Sequence, residues 1–381
     1  MAVSKAAAIV GIFEHPTRHA PDKTILQLQA ECILGALADA GIDRQEVDGL
    51  FVPDAGAQGR WIALCDYLGI TPQYADTTAL AGPTAQHLAH HAVAAIAAGL
   101  INVAVVAQVS KARTGRGSGR QALAPVPDSF QEPYGPAGIG LYALAATRHM
   151  YQYGTTHEQL AEIAVACRTH AANNPDAVQR RPIAVEDVLN SRWIQWPLHL
   201  LDCCLVTDAG GAVVIVAADR ARHAHHRPVW ILGTATFPAH TSLGWRDITT
   251  SAAARSAPIA YAQAGVTPRD IDMAMVADHY SHTALILLED AGFCKKGEGG
   301  PFVAGGRIQI GGALPINTDG GGLSSAHGGF RGMQNLIEGT RQIRGSSHNQ
   351  VLDCTLVLCQ EGGGGGFGVR HTAATTILGR D

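Results

Sequence analysis

The run PINTDGGGLSSAHGGFRG, residues 315–332, gathers the groups best suited to chemistry in this chain. His327 and Asp319 can each take or give a proton, and the glycines around them let backbone approach a ligand closely. A second group, Asp278, His279, Tyr280 and His282 in ADHYSHTALILLEDAGF, follows an apolar strand and enters a helix. Sites form at the carboxyl ends of strands in α/β folds, so His279 and Tyr280 read as proton-transfer groups, with helix capping and core packing as the structural alternative. His87 and His91 share a helix face with His90 beside them, yet no carboxylate or further ligand is spaced to complete a site, so no metal is expected. Lys111, Arg113, Arg116 and Arg120 form a basic, glycine-rich run that could meet phosphates or be a plain surface loop.

Elements must hold these groups, and the apolar spacing supplies them. Ala7–Phe13 reads as a strand, Ile25–Ala40 as a helix stopped by Gly41, and Leu50–Val52 as a second strand. A short helix around Trp61–Leu68, a small-residue helix from about Gly82 to Ala98 and a strand Val103–Val109 continue a βαβ rhythm, which needs a sheet covered on both faces. Residues 110–205 break that rhythm and read as an excursion over one end of the sheet, with a capping box at Thr156 and Gln159. Strand Ala212–Ala217 returns to the core, and a histidine-bearing link ending at Pro228 leads onward.

The second half repeats the first. Ala40–Asp54 aligns without gaps to Ala264–Asp278, pairing Asp48 with Asp272 and Val52 with Val276. The helix ending at Gly99 corresponds to the helix ending at Gly345, which sets Gly82 opposite Gly328, beside His327. Two domains or halves, 1–228 and 229–381, follow from this. Their two central helices would bring positive N-terminal ends to one axis, where they could stabilise an enolate or oxyanion.

Composition limits the partners. The net charge of −4 and pI near 6.5 supply no broad basic field, which argues against nucleic acid or an anionic membrane. With 46% hydrophobic and 16% charged residues, much of the chain must be buried, in a large fold or a homo-oligomer. Eight cysteines without a CxxC pair suit reduced thiols in a cytoplasm. The N-terminus reads as a first strand, not a signal peptide, and no stretch reads as a membrane span.

Five stretches, ADAGIDRQEVDGL, the helix of residues 82–99 with IAAGLINVAVV, LLDCCLVTDAGGAVVIVAADR, LEDAGFCKKGEGGPF and GGALPINTDGGGLSSAHGG, resemble the thiolase superfamily. The resemblance runs through nearly the whole chain and is closest to the branch of sterol-carrier-protein-type thiolases and acyl-CoA retro-aldolases. It implies an α/β fold of five layers, αβαβα, built from two duplicated halves. It also implies a homodimer acting on acyl-CoA, and a small zinc-ribbon and OB-fold partner protein that would complete a heterotetramer.

Thiolases carry a nucleophilic cysteine at the start of the first buried helix, and here that position is Gly82. The family histidine before the second helix matches His327, followed by Gly328 where proline is usual. Cys359 is the nearest match to the cysteine of the C-terminal glycine-rich loop, as an acid/base. Relatives of the aldolase branch use tyrosines; Tyr280 is present, while Ser325 and Arg331 stand where another would be expected.

The resulting expectation is retro-aldol cleavage of a β-hydroxyacyl-CoA of steroid or aromatic side-chain type, through a thioester enolate and without an acyl-enzyme. His327, Tyr280, His279, His282 and Cys359 are the catalytic candidates; Gly82, Asp319, Gly328 and Ser325 the oxyanion or substrate-binding ones; Arg113 and Arg116 the coenzyme A phosphate contacts. No covalently bound cofactor is expected, coenzyme A entering as the substrate thioester. A thiolase-like acyltransferase and a catalytically silent scaffold subunit are the alternatives.

Overall fold

A computed structural model of the protein describes residues 5–53, 60–115, 138–238, 247–363 and 372–380. Its strands are β1 (Ala7–Glu14), β2 (Gly49–Phe51), β3 (Tyr74–Asp76), β4 (Val103–Lys111), β5 (Trp193–Gln195), β6 (Leu198–His199), β7 (Asp208–Ala217), β8 (Val229–Pro238), β9 (Met273–Val276), β10 (Leu356–Gly363) and β11 (Thr372–Gly379). The helices are α1 (Ile25–Ala40), α2 (Arg60–Leu68), α3 (Thr84–Ala97), α4 (Ile139–Tyr153), α5 (His157–Asn173), α6 (Val185–Leu189), α7 (Ala218–Ala221), α8 (Ala253–Ala264), α9 (Ser281–Asp290), α10 (Gly299–Val303) and α11 (Gly332–Arg344). Among the described residues, no helix is long and apolar enough to cross a membrane.

Nine strands form one sheet in the order β3-β2-β4-β7-β1-β8-β11-β10-β9. Outward from the β1–β8 seam, each half has the same plan: two antiparallel neighbours, then a parallel one. Thus β1 pairs with β7, β7 with β4 and β4 with β2, as β8 pairs with β11, β11 with β10 and β10 with β9.

The aligned residues do the same work in each half. Asp48 accepts from Val103 N (2.8 Å) at the start of β4, and Asp272 accepts from Leu356 N (2.9 Å) at the start of β10. Gly41 and Gly265 close α1 and α8 at φ of 66° and 68°, a left-handed conformation that glycine adopts at little cost. A β-carbon on Gly11 or Gly233 would fall 2.2 Å from Ala36 O or 2.1 Å from Ala260 O, so both glycines let a helix backbone settle onto its strand. On this symmetry the proposed division, 1–228 and 229–381, falls at the first residue of β8.

Strand alternation sets the layers. Val103, Val105 and Ala107 face one apolar cluster with α1, while Ala104 and Val106 face another with α3 and α11. In β10, Val357 and Cys359 share that second cluster and Leu358 turns away. Helices α3 and α11 touch each other and strands of both halves, α1 covers β1, β7 and β4 from outside, and α8 covers β8 and β11. This is the five-layered αβαβα fold with two buried central helices.

Within the described part of the excursion, which comprises α4 to α6 and the β5–β6 hairpin, α5 and the residues after it pack over the glycine-rich turn at 320–325. Arg168 Nε of α5 donates to Ser324 Oγ (2.9 Å), and Asn174 donates to Asp319 O (2.8 Å). The two central helices start later than spacing predicts. Pro83 precedes α3 at Thr84, where the Thr84 hydroxyl closes the entering turn onto Ala81 O, and α11 begins at Gly332, five residues past His327.

Candidate active site

Asp278 leaves the end of β9 and is fully buried. Its carboxylate accepts from Gly322 N (2.7 Å) and Leu323 N (3.2 Å), and Cys167 Sγ lies 3.5 Å away. This anchors a π-helical turn over Gly321–Ser325. Gly321 has φ +64° and a β-carbon there would fall 2.0 Å from Asp278 Oδ2, so only glycine fits. Residues 204–207 run alongside and hold the rest: Cys204 N donates to His279 O (2.9 Å), Leu205 N to Gly322 O (3.0 Å) and Thr207 N to His327 O (3.0 Å). Both histidines are therefore fixed through their backbones.

His327 accepts at Nδ1 from Gly329 N (3.2 Å). Burial first, then the charges of His279 and Arg331, hold its imidazole well below the usual pKa, so the ring is neutral. With Nδ1 an acceptor, the hydrogen sits on Nε2, which meets no partner among the described residues. His327 thus offers a neutral donor beside the ring of His279, 4.9 Å away edge to face.

Arg331 is fully buried beneath it, paired with Asp319 and donating to Ala326 O (3.2 Å). Burial opposes its charge, but Asp319 and Asp278 more than offset that and raise its pKa.

Glu361 was not anticipated. It lies in β10 two residues beyond Cys359, on the face turned to the central helices, and is fully buried. Its Oε1 is 3.5 Å from His279 Nε2 and its Oε2 lies 3.4 Å from Asn335 Nδ2 of α11. Burial pushes its carboxyl well above the usual range. A β-carbon on Gly82 would fall 2.7 Å from Glu361 Oε1 and 3.5 Å from His279 Nε2; Gly332, where α11 starts, lies against Gly82 O. Gly82, His279, Glu361 and His327 are thus assembled where the two helix starts meet, and first-turn amides there have no carbonyl partner within their own helices.

The remaining predicted residues lie elsewhere. Cys359 packs between β10 and α11, its thiol donating to Asn335 O (3.1 Å) and its pKa pushed up by burial. Asp319 spends one carboxylate oxygen on Gly321 N (2.9 Å) and the other on Arg331, so it anchors rather than transfers a proton. Ser325 stands against Asn174 (3.5 Å), and Gly328 packs on Ala209 and Ser110. Tyr280 caps α9 and turns its ring onto Tyr142 of α4 (4.7 Å), where burial raises its hydroxyl pKa. His282 is buried near His149, ring centres 6.5 Å apart. Arg113 is exposed while its backbone N donates to Asp208 (3.0 Å); Arg116 lies outside the described residues. His91 pairs with Asp76 and His87 with Thr236 (3.2 Å).

The signal that could have found Glu361 was alternation. A carboxylate two residues from a buried cysteine, in an otherwise apolar strand, must point inward with it.

Residues 236–380 match the family described as thiolase C-terminal domain-like. The chain is 37% identical to a 17-hydroxy-3-oxo-4-pregnene-20-carboxyl-CoA lyase of Mycobacterium tuberculosis, over 95% of this chain and 97% of that one. It is 36% identical to a steroid side-chain-cleaving aldolase of Thermomonospora curvata, covering 94% and 95%. The solved structure of an Ltp2-ChsH2(DUF35) aldolase superposes with a TM-score of 0.89 at 35% identity, over 100% of this chain and 99% of that chain. Identity at this level along nearly the full length, on the fold and helix starts described above, establishes that this chain belongs to the thiolase superfamily, in its acyl-CoA retro-aldolase branch.

Proposed function

We propose that the protein cleaves the Cα–Cβ bond of a β-hydroxyacyl-CoA, releasing a ketone or aldehyde and a shorter acyl-CoA without a covalent acyl-enzyme. One observation carries this: where a thiolase nucleophile would sit, Gly82 has no side chain, and the Glu361 carboxyl and the His279 ring stand 2.7 Å and 3.5 Å from where its β-carbon would be. Elsewhere no thiol is poised to substitute, because burial pushes up all eight cysteines. A nucleophilic thiolate needs the opposite shift.

The site supplies what a retro-aldol step needs. A base takes the β-hydroxyl proton, electrons of the breaking bond pass to the thioester, and the enolate oxygen requires hydrogen-bond donors. His279 is the base on this reading, with Tyr280 beside it in sequence as the other group near the acyl chain. His327 Nε2 and the first-turn amides of α3 and α11 hold the enolate oxygen. Arg113 and Arg116 are the coenzyme A phosphate contacts. In the name of the Mycobacterium relative's substrate, the 17-hydroxyl is β to the thioester carbonyl, so a sterol-derived chain with a hydroxyl at that position is the proposed substrate class.

A homodimer with a zinc-ribbon and OB-fold partner is the proposed assembly, supported by the pairing of Ltp2 with ChsH2(DUF35) in the similar solved structure. A cytoplasmic location fits eight cysteines that form no disulfide.

Incubation of the protein, with any partner that co-purifies, with 17-hydroxy-3-oxo-4-pregnene-20-carboxyl-CoA tests this. Expected are a 17-ketone and propionyl-CoA, formed without added coenzyme A. A thiolase would need free coenzyme A as acceptor, so cleavage that depends on it would overturn the lyase reading.

A further inference from the structure

Glu361 sits in a place that its burial makes expensive. Within an apolar strand it is fully enclosed, and its only ion-pair partner among the described residues is His279, at 3.5 Å. Arg331, the nearest buried cation by its effect on Glu361, is already paired with Asp319. Packing or hydrogen bonding to Asn335 could be met by glutamine without any charge to bury, so an ionisable group here needs another reason. Gly82 and Gly363 keep that reason open. A β-carbon on Gly363 would fall 3.6 Å from both His279 Nε2 and Gly82 N, so bare backbone borders the carboxyl and the imidazole on two sides. A nucleophilic side chain at position 82 would enter the space beside these two groups.

The geometry points to Glu361 and His279 as a proton-carrying dyad that moves the substrate's β-hydroxyl proton to the α-carbon of the departing enolate, an inference that rests on the lyase reading above. His279 Nε2, in its unprotonated form, takes the proton from the β-hydroxyl. The O–H electrons form the new C=O, the Cα–Cβ pair moves into the thioester enolate, and the ketone or aldehyde separates. The Glu361 carboxyl gives its proton to the enolate α-carbon, making the new α C–H bond. The proton on His279 then passes across to the Glu361 carboxylate, and both groups return to their starting state. One proton has moved from oxygen to carbon, with no water, oxidant or reductant consumed. Burial of Glu361 raises its pKa and so favours the acid form that this step requires.

Exchange of the α-hydrogen of propionyl-CoA for deuterium in D2O isolates the carbon-protonation half of the cycle. The wild-type protein, with any partner that co-purifies, is expected to catalyse it. E361Q should slow exchange by about 100-fold or more, the usual scale for a positioned acid/base, while propionyl-CoA still binds within a few-fold of the wild-type affinity. E361D keeps a carboxyl but withdraws it by one methylene, and should fall between the two; it reads out the same step if E361Q does not fold. Wild-type exchange rates in E361Q or E361D, alongside wild-type cleavage, would overturn the dyad and leave the lyase reading intact. A wild-type protein that exchanges but does not cleave any β-hydroxyacyl-CoA would overturn the lyase reading instead.

Discussion

Glu361 Oε1 stands 2.7 Å from the point where a β-carbon on Gly82 would lie, so the carboxyl and a side chain at 82 compete for one space. That exclusion separates this site from a covalent one. Restoring a cysteine at 82 would bring its β-carbon into the Glu361 carboxyl before its sulfur could reach a substrate.

Gly82→Ala should therefore destabilise the fold by about 1–3 kcal/mol, the usual cost of overpacking, and lower kcat sharply. Adding Glu361→Ala should recover the stability and not the activity. Denaturant unfolding of both variants checks this; a Gly82→Ala protein as stable and as active as wild type would mean the carboxyl is elsewhere.

Removal of the His327 donor should cost about 10²–10³-fold in kcat, the scale measured when one oxyanion donor is lost. His327→Ala should leave substrate affinity nearly intact, since the donor matters most when negative charge develops. An unchanged kcat would remove His327 from the enolate site.

His279 and Tyr280 are adjacent in sequence but face different neighbours, His279 toward Glu361 and Tyr280 toward Tyr142. His279→Gln should reduce single-turnover cleavage more than Tyr280→Phe. The reverse order would move the base to the tyrosine.

Arg331 and Asp319 are both buried and paired. Arg331→Met leaves Asp319 a buried charge without its cation and should destabilise by about 3–5 kcal/mol. Arg331→Met with Asp319→Asn should recover much of that, as read from chemical denaturation. Equal stabilities of the single and double variants would show that the pair is not coupled.

The raised pKa of Glu361 has a definite sign in stability. Between the unfolded carboxyl pKa near 4.5 and its higher folded value, the native state binds the extra proton, so wild-type stability is lost as pH rises through that window. E361Q removes this dependence, and its melting temperature should rise relative to wild type from about pH 4.5 to pH 7. A difference independent of pH would mean that Glu361 ionises in the native state as readily as in the unfolded one.

The duplicated architecture was legible because the repeated residues carry repeated tasks. Asp48 and Asp272 hold the starts of β4 and β10, and Gly41 and Gly265 end the equivalent helices, so local chemistry reports topology directly. His279 and His327 were legible as polar residues beside glycines and strand ends. Their meeting, ring to ring, depends on the backbone of residues 204–207, which nothing local in either motif announces.

Asp319 looked reactive because its motif shows a carboxylate among glycines. Its consumption by Arg331, twelve positions later, is a tertiary event. Cys359 drew attention as a family-like thiol, while the two-residue period of β10 carries Glu361 to the site and leaves Cys359 against α11. Tyr280 was visible, but its partner Tyr142 comes from the excursion and could not be paired with it from spacing.

The absence of an acyl-enzyme is tested most directly by intact-mass spectrometry of the protein quenched during turnover of 17-hydroxy-3-oxo-4-pregnene-20-carboxyl-CoA. The expected result is propionyl-CoA and a 17-ketone accumulating while the protein mass stays at that of the unmodified chain. A propionyl or steroid-acyl adduct on any cysteine that forms and decays at the rate of turnover would contradict it.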